Sequence, residues 1–283
     1  MSSIPKLAVF DVDGTIAAHG VVPSSIIEAM HHLHKKGTIT TVSTGRGYVR
    51  LKEALGDAFE VIISPEALII VEHGTKIVNR DGKLKFGEFF NDREIDHIID
   101  FTRANIGLFR LVWFNPIDIV HDKVQVWCAD EKDVQFETEQ RGHYADVFTS
   151  SIGELEDLLL TQKLTNVTLK LKDYVKVENL KLAFTRTDTN VIFQDGNMEF
   201  VKNNTNKGLA IEWMIRRLKL HRNDLLVAGN AINDVEMLDV DSKFTVLVGP
   251  AETRDTIKSY LSKIDEVIEV DTPSDLGRHL LKM

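Results

Sequence analysis

Apolar residues along the chain fall in short continuous runs closed by turn signals, with amphipathic stretches between them. Leu7-Ala8-Val9-Phe10 stops abruptly at Asp11-Val12-Asp13-Gly14-Thr15. Such a run predicts a strand buried on both faces of a parallel sheet. A helix is expected next: Ser25-Ile26-Ile27-Glu28 has capping-box spacing, Ile26, Ile27, Met30 and Leu33 form a stripe, and Gly37 supplies the stop. A second strand over Ile39 to Ser43, a Thr44-Gly45-Arg46-Gly47 turn and a helix near Tyr48 to Leu55 follow. Strand, helix, strand, helix in this order predicts right-handed crossovers in a parallel sheet.

The last third repeats that rhythm. Helices are expected at Lys207 to Leu220, Asp234 to Leu238 and Glu252 to Leu261, with strands at Leu225 to Ala228 and Phe244 to Val248. The middle has another texture. Helices are expected near Asp92–Ala104, Glu131–Gln140, Glu154–Leu160 and Tyr174–Thr185, and strands near Phe109–Phe114, Ile119–Cys128 and Asn166–Lys172. Several of these strands alternate with period two, as one-sided sheets do. The fold expected is α/β: a Rossmann-like doubly wound core from residues 1–82 and 189–283, with an α+β domain, residues 83–188, inserted into it.

Composition narrows the function. The 283 residues are 43% hydrophobic and 27% charged, which excludes bulk disorder. The formal net charge of −9 repels phosphate backbones, so nucleic acid is not expected as a partner. The single cysteine, Cys128, fits a reducing compartment. Apolar runs such as Ala67 to Val71 are too short to span a bilayer, and MSSIPKLAVFD lacks the apolar core of a secretory signal. A cytoplasmic protein without a membrane partner is the expectation.

In open parallel sheets ligands bind at the carboxyl ends of the strands. Asp11 and Asp13 follow the first strand, Thr44 follows the second, Asn230 to Asp234 follow a later one, and Lys207 opens a helix after the strand-like Met198 to Val201. Carboxylates, a hydroxyl and a lysine brought to one edge suit a hard divalent cation together with phosphate.

Asp11-Val12-Asp13-Gly14-Thr15 resembles the first motif of the haloacid dehalogenase superfamily, Thr44-Gly45-Arg46 its second, Lys207-Gly208 its third, and Gly229-Asn230-Ala231-Ile232-Asn233-Asp234 a variant of its fourth. The position of the insertion is similar to the type IIB cap of Cof-like sugar-phosphate phosphatases. The resemblance implies a magnesium-dependent phosphatase acting on a small phosphorylated metabolite. Asp11 would be the nucleophile and Asp13 the acid and base. Thr44, Gly45, Arg46, Lys207 and Asn233 would hold the phosphoryl group. Magnesium would bridge Asp11, the Asp13 carbonyl and the fourth motif at Asn230 and Asp234.

The chain departs from the family pattern at Asn230, where the family places an acidic metal ligand. An amide oxygen removes one negative charge, an expected loss of ~10–100-fold in metal affinity by analogy with ligand-shell substitutions. A weakly active or non-catalytic sugar-phosphate-binding relative is therefore the alternative. A phosphomannomutase-like phosphotransferase is another, though that family carries a Gly-Gly-Ser-like second motif where this chain has Ser43-Thr44-Gly45-Arg46. His73-Gly74-Thr75 also replaces the usual Asn-Gly-Ala, and His73 reads equally well as a turn residue or a substrate contact. His31, His32 and His34, Cys128, and the Arg216-Arg217-Leu218-Lys219 run read as structural or solvated. Trp113, Phe114 and Trp127 read as packing residues.

Overall fold

The computed structural model describes residues 4–115, 124–130, 132–135, 147–176, 180, 189–194, 196–264 and 266–283. Strands β1 (Leu7–Phe10), β2 (Ile39–Val42), β3 (Leu68–Val71), β4 (Lys76–Asn79) and β5 (Leu84–Gly87) open the chain. Strands β6 (Phe109–Phe114), β7 (Gln125–Cys128), β8 (Val147–Thr149), β9 (Asn166–Leu171), β10 (Thr189–Gln194) and β11 (Asn197–Lys202) follow. Strands β12 (Leu225–Gly229), β13 (Phe244–Val248) and β14 (Ile268–Val270) close it. The chain divides into two compact units, residues 1–86 with 206–283, and residues 87–205.

The first unit is built on a parallel sheet of order β14-β13-β12-β1-β2. Every residue of β1 is buried, as expected of a central strand covered on both faces. The helix Lys207–Leu218 turns Ala210, Ile211, Met214 and Ile215 onto Leu7, Val9 and Val227 of the sheet. The helix Ser24–Lys35 buries Ile26, Ala29, Met30 and Leu33, the stripe expected apart from Ile27. The capping box expected at its start is not formed. Pro23 occupies the N-cap without a side-chain bond, and Ser25 Oγ instead donates to the Ser274 carbonyl of the last helix, Pro273–Leu280. Strand β14 and that last helix lie beyond the elements expected from sequence.

A three-stranded antiparallel sheet, β3-β4-β5, extends the unit and touches the main sheet through the bridge between Ser43 and Ile70. The second unit is a six-stranded sheet of order β10-β11-β9-β6-β7-β8. Its pairs are antiparallel except for β7 with β8. The helices Asp92–Asn105 and Ile152–Thr161 pack Ile95, Ile98, Leu155 and Leu159 into a core with Phe109, Phe114, Trp127, Leu169 and Phe200. Cys128 is buried with Leu111 and Val126. The helices expected at Glu131–Gln140 and Tyr174–Thr185, and the strand start at Ile119, fall largely outside the described residues.

The fold is thus α/β with a parallel core and an α+β second unit, as the sequence predicts. One assignment changes. Residues 189–202 were expected in the parallel core, but β10 pairs with β11, and β11 with β9. Met198 and Phe200 are buried while Glu199 between them is not, the period-two signature of a one-sided sheet. The division falls near Phe86 and Asn206 rather than at residues 82 and 189.

Candidate active site

The first unit's parallel strands end together. Phe10 is in register with Val42 on one side and Ala228 on the other. The next residues, Asp11, Ser43 and Gly229, therefore stand side by side at the carboxyl edge. Asp11 N–H donates to the Ala228 carbonyl at 2.9 Å and Ser43 N–H to the Phe10 carbonyl at 2.9 Å, so the register continues one residue beyond the strands.

Lys207 reaches this edge by another route than the one expected. It does not follow a strand of the parallel sheet. It is the first residue of its helix, which is capped by Asn206 accepting from Leu209 N–H at 2.8 Å. Its ammonium donates to Asp11 Oδ1 at 2.7 Å and to Asp234 Oδ1 at 2.6 Å. All three side chains are nearly inaccessible. Asp234 Oδ2 accepts the N–H groups of Asn230 and Ala231, both at 3.0 Å. Asp234 thus has one oxygen on Lys207 and the other on its own turn.

Burial, and then the charge of Asp234, push the Asp11 carboxyl up to about 6, against the opposing pull of Lys207. Burial disfavours the ammonium of Lys207, but the two carboxylates outweigh it and hold its pKa above the ordinary lysine value. A lysine fixed as a cation beside a carboxylate that titrates near neutrality is a feature of reactive sites.

Around this centre, Asp11 Oδ2 accepts from Thr15 Oγ1 at 3.3 Å. The neighbours of the Asn230 amide set its orientation. With the nitrogen inward it donates to the Asp13 carbonyl at 2.9 Å, Thr15 Oγ1 at 3.0 Å and Asp11 Oδ2 at 3.2 Å. Gly14 makes this approach possible. Its φ of +86° suits glycine, and a Cβ there would lie 2.2 Å from the amide of Asn230. Asp13 turns its side chain outward, where Arg46 Nε and Nη2 grip it in a fork at 2.7 and 2.9 Å.

Thr44 is buried, and its hydroxyl accepts from Arg46 N–H at 3.1 Å. Gly45 lies flat against the ring of His73: a Cβ there would be 2.4 Å from His73 Cε1. Asn233 sits half-buried in the short turn Ile232–Asp234.

Sequence reasoning assigned no role to two further features. Thr15 bonds the central carboxylate directly, and its place in the first motif was the available signal. Glu72 and Lys76 form an ion pair at 3.0 Å that is wholly buried. Lys76 begins β4, and Glu72 opens the turn before it, in which Glu72, His73 and Gly74 all have positive φ. Its backbone braces two site segments. Glu72 N–H donates to the Arg46 carbonyl and His73 N–H to the Thr44 carbonyl, each at 3.1 Å. Gly74 presses on the backbone of Asn206 so closely that a Cβ would lie 2.3 Å from its carbonyl oxygen.

The magnesium implied by the resemblance needs oxygen ligands carrying negative charge. Among the described residues, no group of three or more His, Cys, Asp or Glu side chains is placed to hold a metal ion. Asp234 is committed to Lys207 and two N–H groups, the Asp13 carbonyl to the Asn230 amide, and Asn230 is neutral with its nitrogen inward. These residues do not fit the family's charged cation site.

Comparison with known proteins agrees with the fold. A family model described as haloacid dehalogenase-like hydrolase matches residues 8–264. A protein named HMP-PP phosphatase from Yersinia pseudotuberculosis is 25% identical over 248 residues, covering 82% of this chain and 80% of the relative. Solved structures with the same fold include a haloacid dehalogenase-like hydrolase from B. subtilis, at TM-score 0.73 and 18% identity over 98% of this chain and 99% of that one. Another is a phosphatase of the haloalkanoate superfamily from Bacteroides thetaiotaomicron, at TM-score 0.73 and 17% identity over 98% and 94%. The chain belongs to the haloacid dehalogenase-like hydrolases. As an enzyme it is a phosphatase.

Proposed function

We propose that the chain hydrolyses the phosphomonoester of a small phosphorylated metabolite, a sugar phosphate foremost, through an aspartyl-phosphate on Asp11. The observation that carries this reading is the contact of Lys207 Nζ with Asp11 Oδ1 at 2.7 Å at the carboxyl edge of the parallel sheet. The free electron pair of an Asp11 oxygen attacks phosphorus, the bond from phosphorus to the ester oxygen breaks, and that oxygen takes a proton from Asp13. Water then attacks the acyl phosphate, giving its proton to Asp13 and releasing inorganic phosphate and Asp11. Lys207 offsets the charge that gathers as the phosphoryl group meets the carboxylate.

Thr44, Gly45, Arg46 and Asn233 are proposed to hold the phosphoryl oxygens. Arg46 grips Asp13 in the structure, so a bound phosphoryl group competes for that fork and releases Asp13 for proton transfer. Magnesium enters none of these steps, because the residues do not make its site. Residues 87–205 are proposed to act as the cap domain that selects the substrate. One cysteine in the whole chain supports a cytoplasmic setting.

The test is phosphate release from a panel of hexose phosphates, pentose phosphates and HMP-PP, the compound for which the Yersinia relative is named. Wild type releases phosphate and Asp11→Asn does not. Equal release by both proteins would refute the mechanism. Turnover of HMP-PP with none of any sugar phosphate would refute the sugar-phosphate assignment alone.

A further inference from the structure

We infer that the side-chain amide of Asn230 stands in for the cation of this family's sites, so that Asp11 is held ready by hydrogen bonds rather than by a metal. The inference rests on the reading of Asp11 as the phosphoryl acceptor.

Three oxygens converge on the inner atom of that amide: the Asp13 carbonyl at 2.9 Å, Thr15 Oγ1 at 3.0 Å and Asp11 Oδ2 at 3.2 Å. All three can accept a hydrogen bond, and two of them, Asp11 and the Asp13 carbonyl, are the groups that the family resemblance assigns to magnesium. Such a convergence is stable in two ways only. Either a cation sits among the oxygens, or a donor does. An amide oxygen turned inward takes the one proton of the Thr15 hydroxyl at 3.0 Å and faces the Asp13 carbonyl and Asp11 Oδ2 with nothing to share. The nitrogen turned inward brings two N–H donors to the three oxygens and leaves the Thr15 hydroxyl proton for Asp11 Oδ2.

The surroundings hold the amide in that place. The Asn230 N–H is tied to Asp234 Oδ2 at 3.0 Å, which fixes the backbone from which the side chain projects. Gly14 leaves no gap on the other side, since even a Cβ there would collide with the amide. The two oxygens of Asp11 are then covered by protein donors on both sides, Lys207 on Oδ1 and Thr15 with Asn230 on Oδ2. A divalent cation entering this position has to turn the amide over and break its bonds. It then meets a single carboxylate already shared with an ammonium.

Aspartate at position 230 reverses each term. It has no donor to offer, it places a second negative charge beside Asp11, and its oxygen suits a cation.

The experiment is magnesium binding to the full chain without substrate, by calorimetric titration and by the shift in melting temperature on adding the ion. Wild type and Asn230→Asp are compared. The expected result is at least ~10-fold tighter binding by Asn230→Asp, with a magnesium-dependent rise in its melting temperature that wild type lacks. Equal affinities and equal shifts would overturn the inference.

A second measurement needs no variant to fold. In nitrogen-edited spectra of wild type, the Asn230 side-chain amide protons are expected to exchange slowly with solvent and to keep their positions on addition of magnesium. Fast exchange, or a shift that saturates with magnesium, would overturn it. Neither readout involves turnover. A protein that binds magnesium tightly and still hydrolyses phosphate through Asp11 would contradict this inference alone. One that shows the protected amide but no hydrolysis would contradict only the proposed function.

Discussion

Lys207 Nζ lies 2.7 Å from Asp11 Oδ1, joining the start of one helix to the end of a strand 196 positions away in sequence. The same ammonium holds Asp234 at 2.6 Å, so one buried cation serves two buried carboxylates. Lys207→Met keeps most of the apolar stem of the side chain and leaves both acids without a counter-charge. The expected cost is ~3–5 kcal/mol of stability, the usual consequence of removing one partner from a buried pair. Phosphatase activity should be lost with it. Denaturant unfolding and steady-state kinetics on the same preparation check both, and a Lys207→Met protein of wild-type stability would contradict the bridging role.

The pH dependence follows from Asp11, whose carboxyl is pushed up to about 6 by burial and by Asp234. A carboxyl raised on folding binds its proton more tightly when folded. Its contribution to stability is therefore present below the ordinary value of 3.8 and is lost as pH rises through about 6. Activity runs in the opposite sense, because the nucleophile has to be ionised. The expected profile is kcat/KM rising through about 6 while the Asp11 contribution to stability falls over the same range. Comparing the unfolding free energies of wild type and Asp11→Asn across this range isolates that contribution. A flat kcat/KM profile there would be contrary evidence.

Gly45 touches His73, and a methyl group at position 45 would sit 2.4 Å from the ring. The ring is not free to retreat, since His73 is buried and its N–H is bonded to Thr44. Gly45→Ala should cost ~1–3 kcal/mol as overpacking and lower kcat/KM by displacing the Thr44 turn. Adding His73→Gly, which suits the φ of +56° at that position, should recover part of the stability. A melting temperature unchanged in the single variant would show that the ring moves aside.

Glu72 and Lys76 are completely buried and paired, beneath the backbone that braces Thr44 and Arg46. Lys76→Met strands the Glu72 carboxylate, with an expected loss of ~3–5 kcal/mol. Replacing both by apolar residues should cost less than the single change. A double-mutant cycle by chemical denaturation measures the difference, and additive effects would argue against the pair.

Much of this site was legible in the sequence because its parts are local. A buried run that ends in Asp11-Val12-Asp13-Gly14-Thr15 marks a strand end by pattern alone, and parallel strands share one carboxyl edge. Leu225–Gly229 and Phe244–Val248 were legible for the same reason. Features that depend on distant partners were not. Nothing near Asn197–Lys202 says that this segment pairs with Asn166–Leu171, although the alternation of Met198, Glu199 and Phe200 was a usable sign. Ser25 was read as part of a cap, but its hydroxyl goes to a helix 249 residues further on. Asn230 was read as a weakened oxygen ligand. Only the three oxygens around it reveal that its nitrogen is the better fit.

The most direct measurement of the central claim is a chemical trap of the enzyme during turnover. Acid quenching followed by borohydride reduction converts an aspartyl-phosphate to homoserine, which peptide mass spectrometry then locates in the chain. Homoserine at position 11, formed only when a phosphorylated substrate is present and absent in Asp11→Asn, is the predicted result. Phosphate release at full rate with unmodified Asp11, or with the label on another residue, would contradict it.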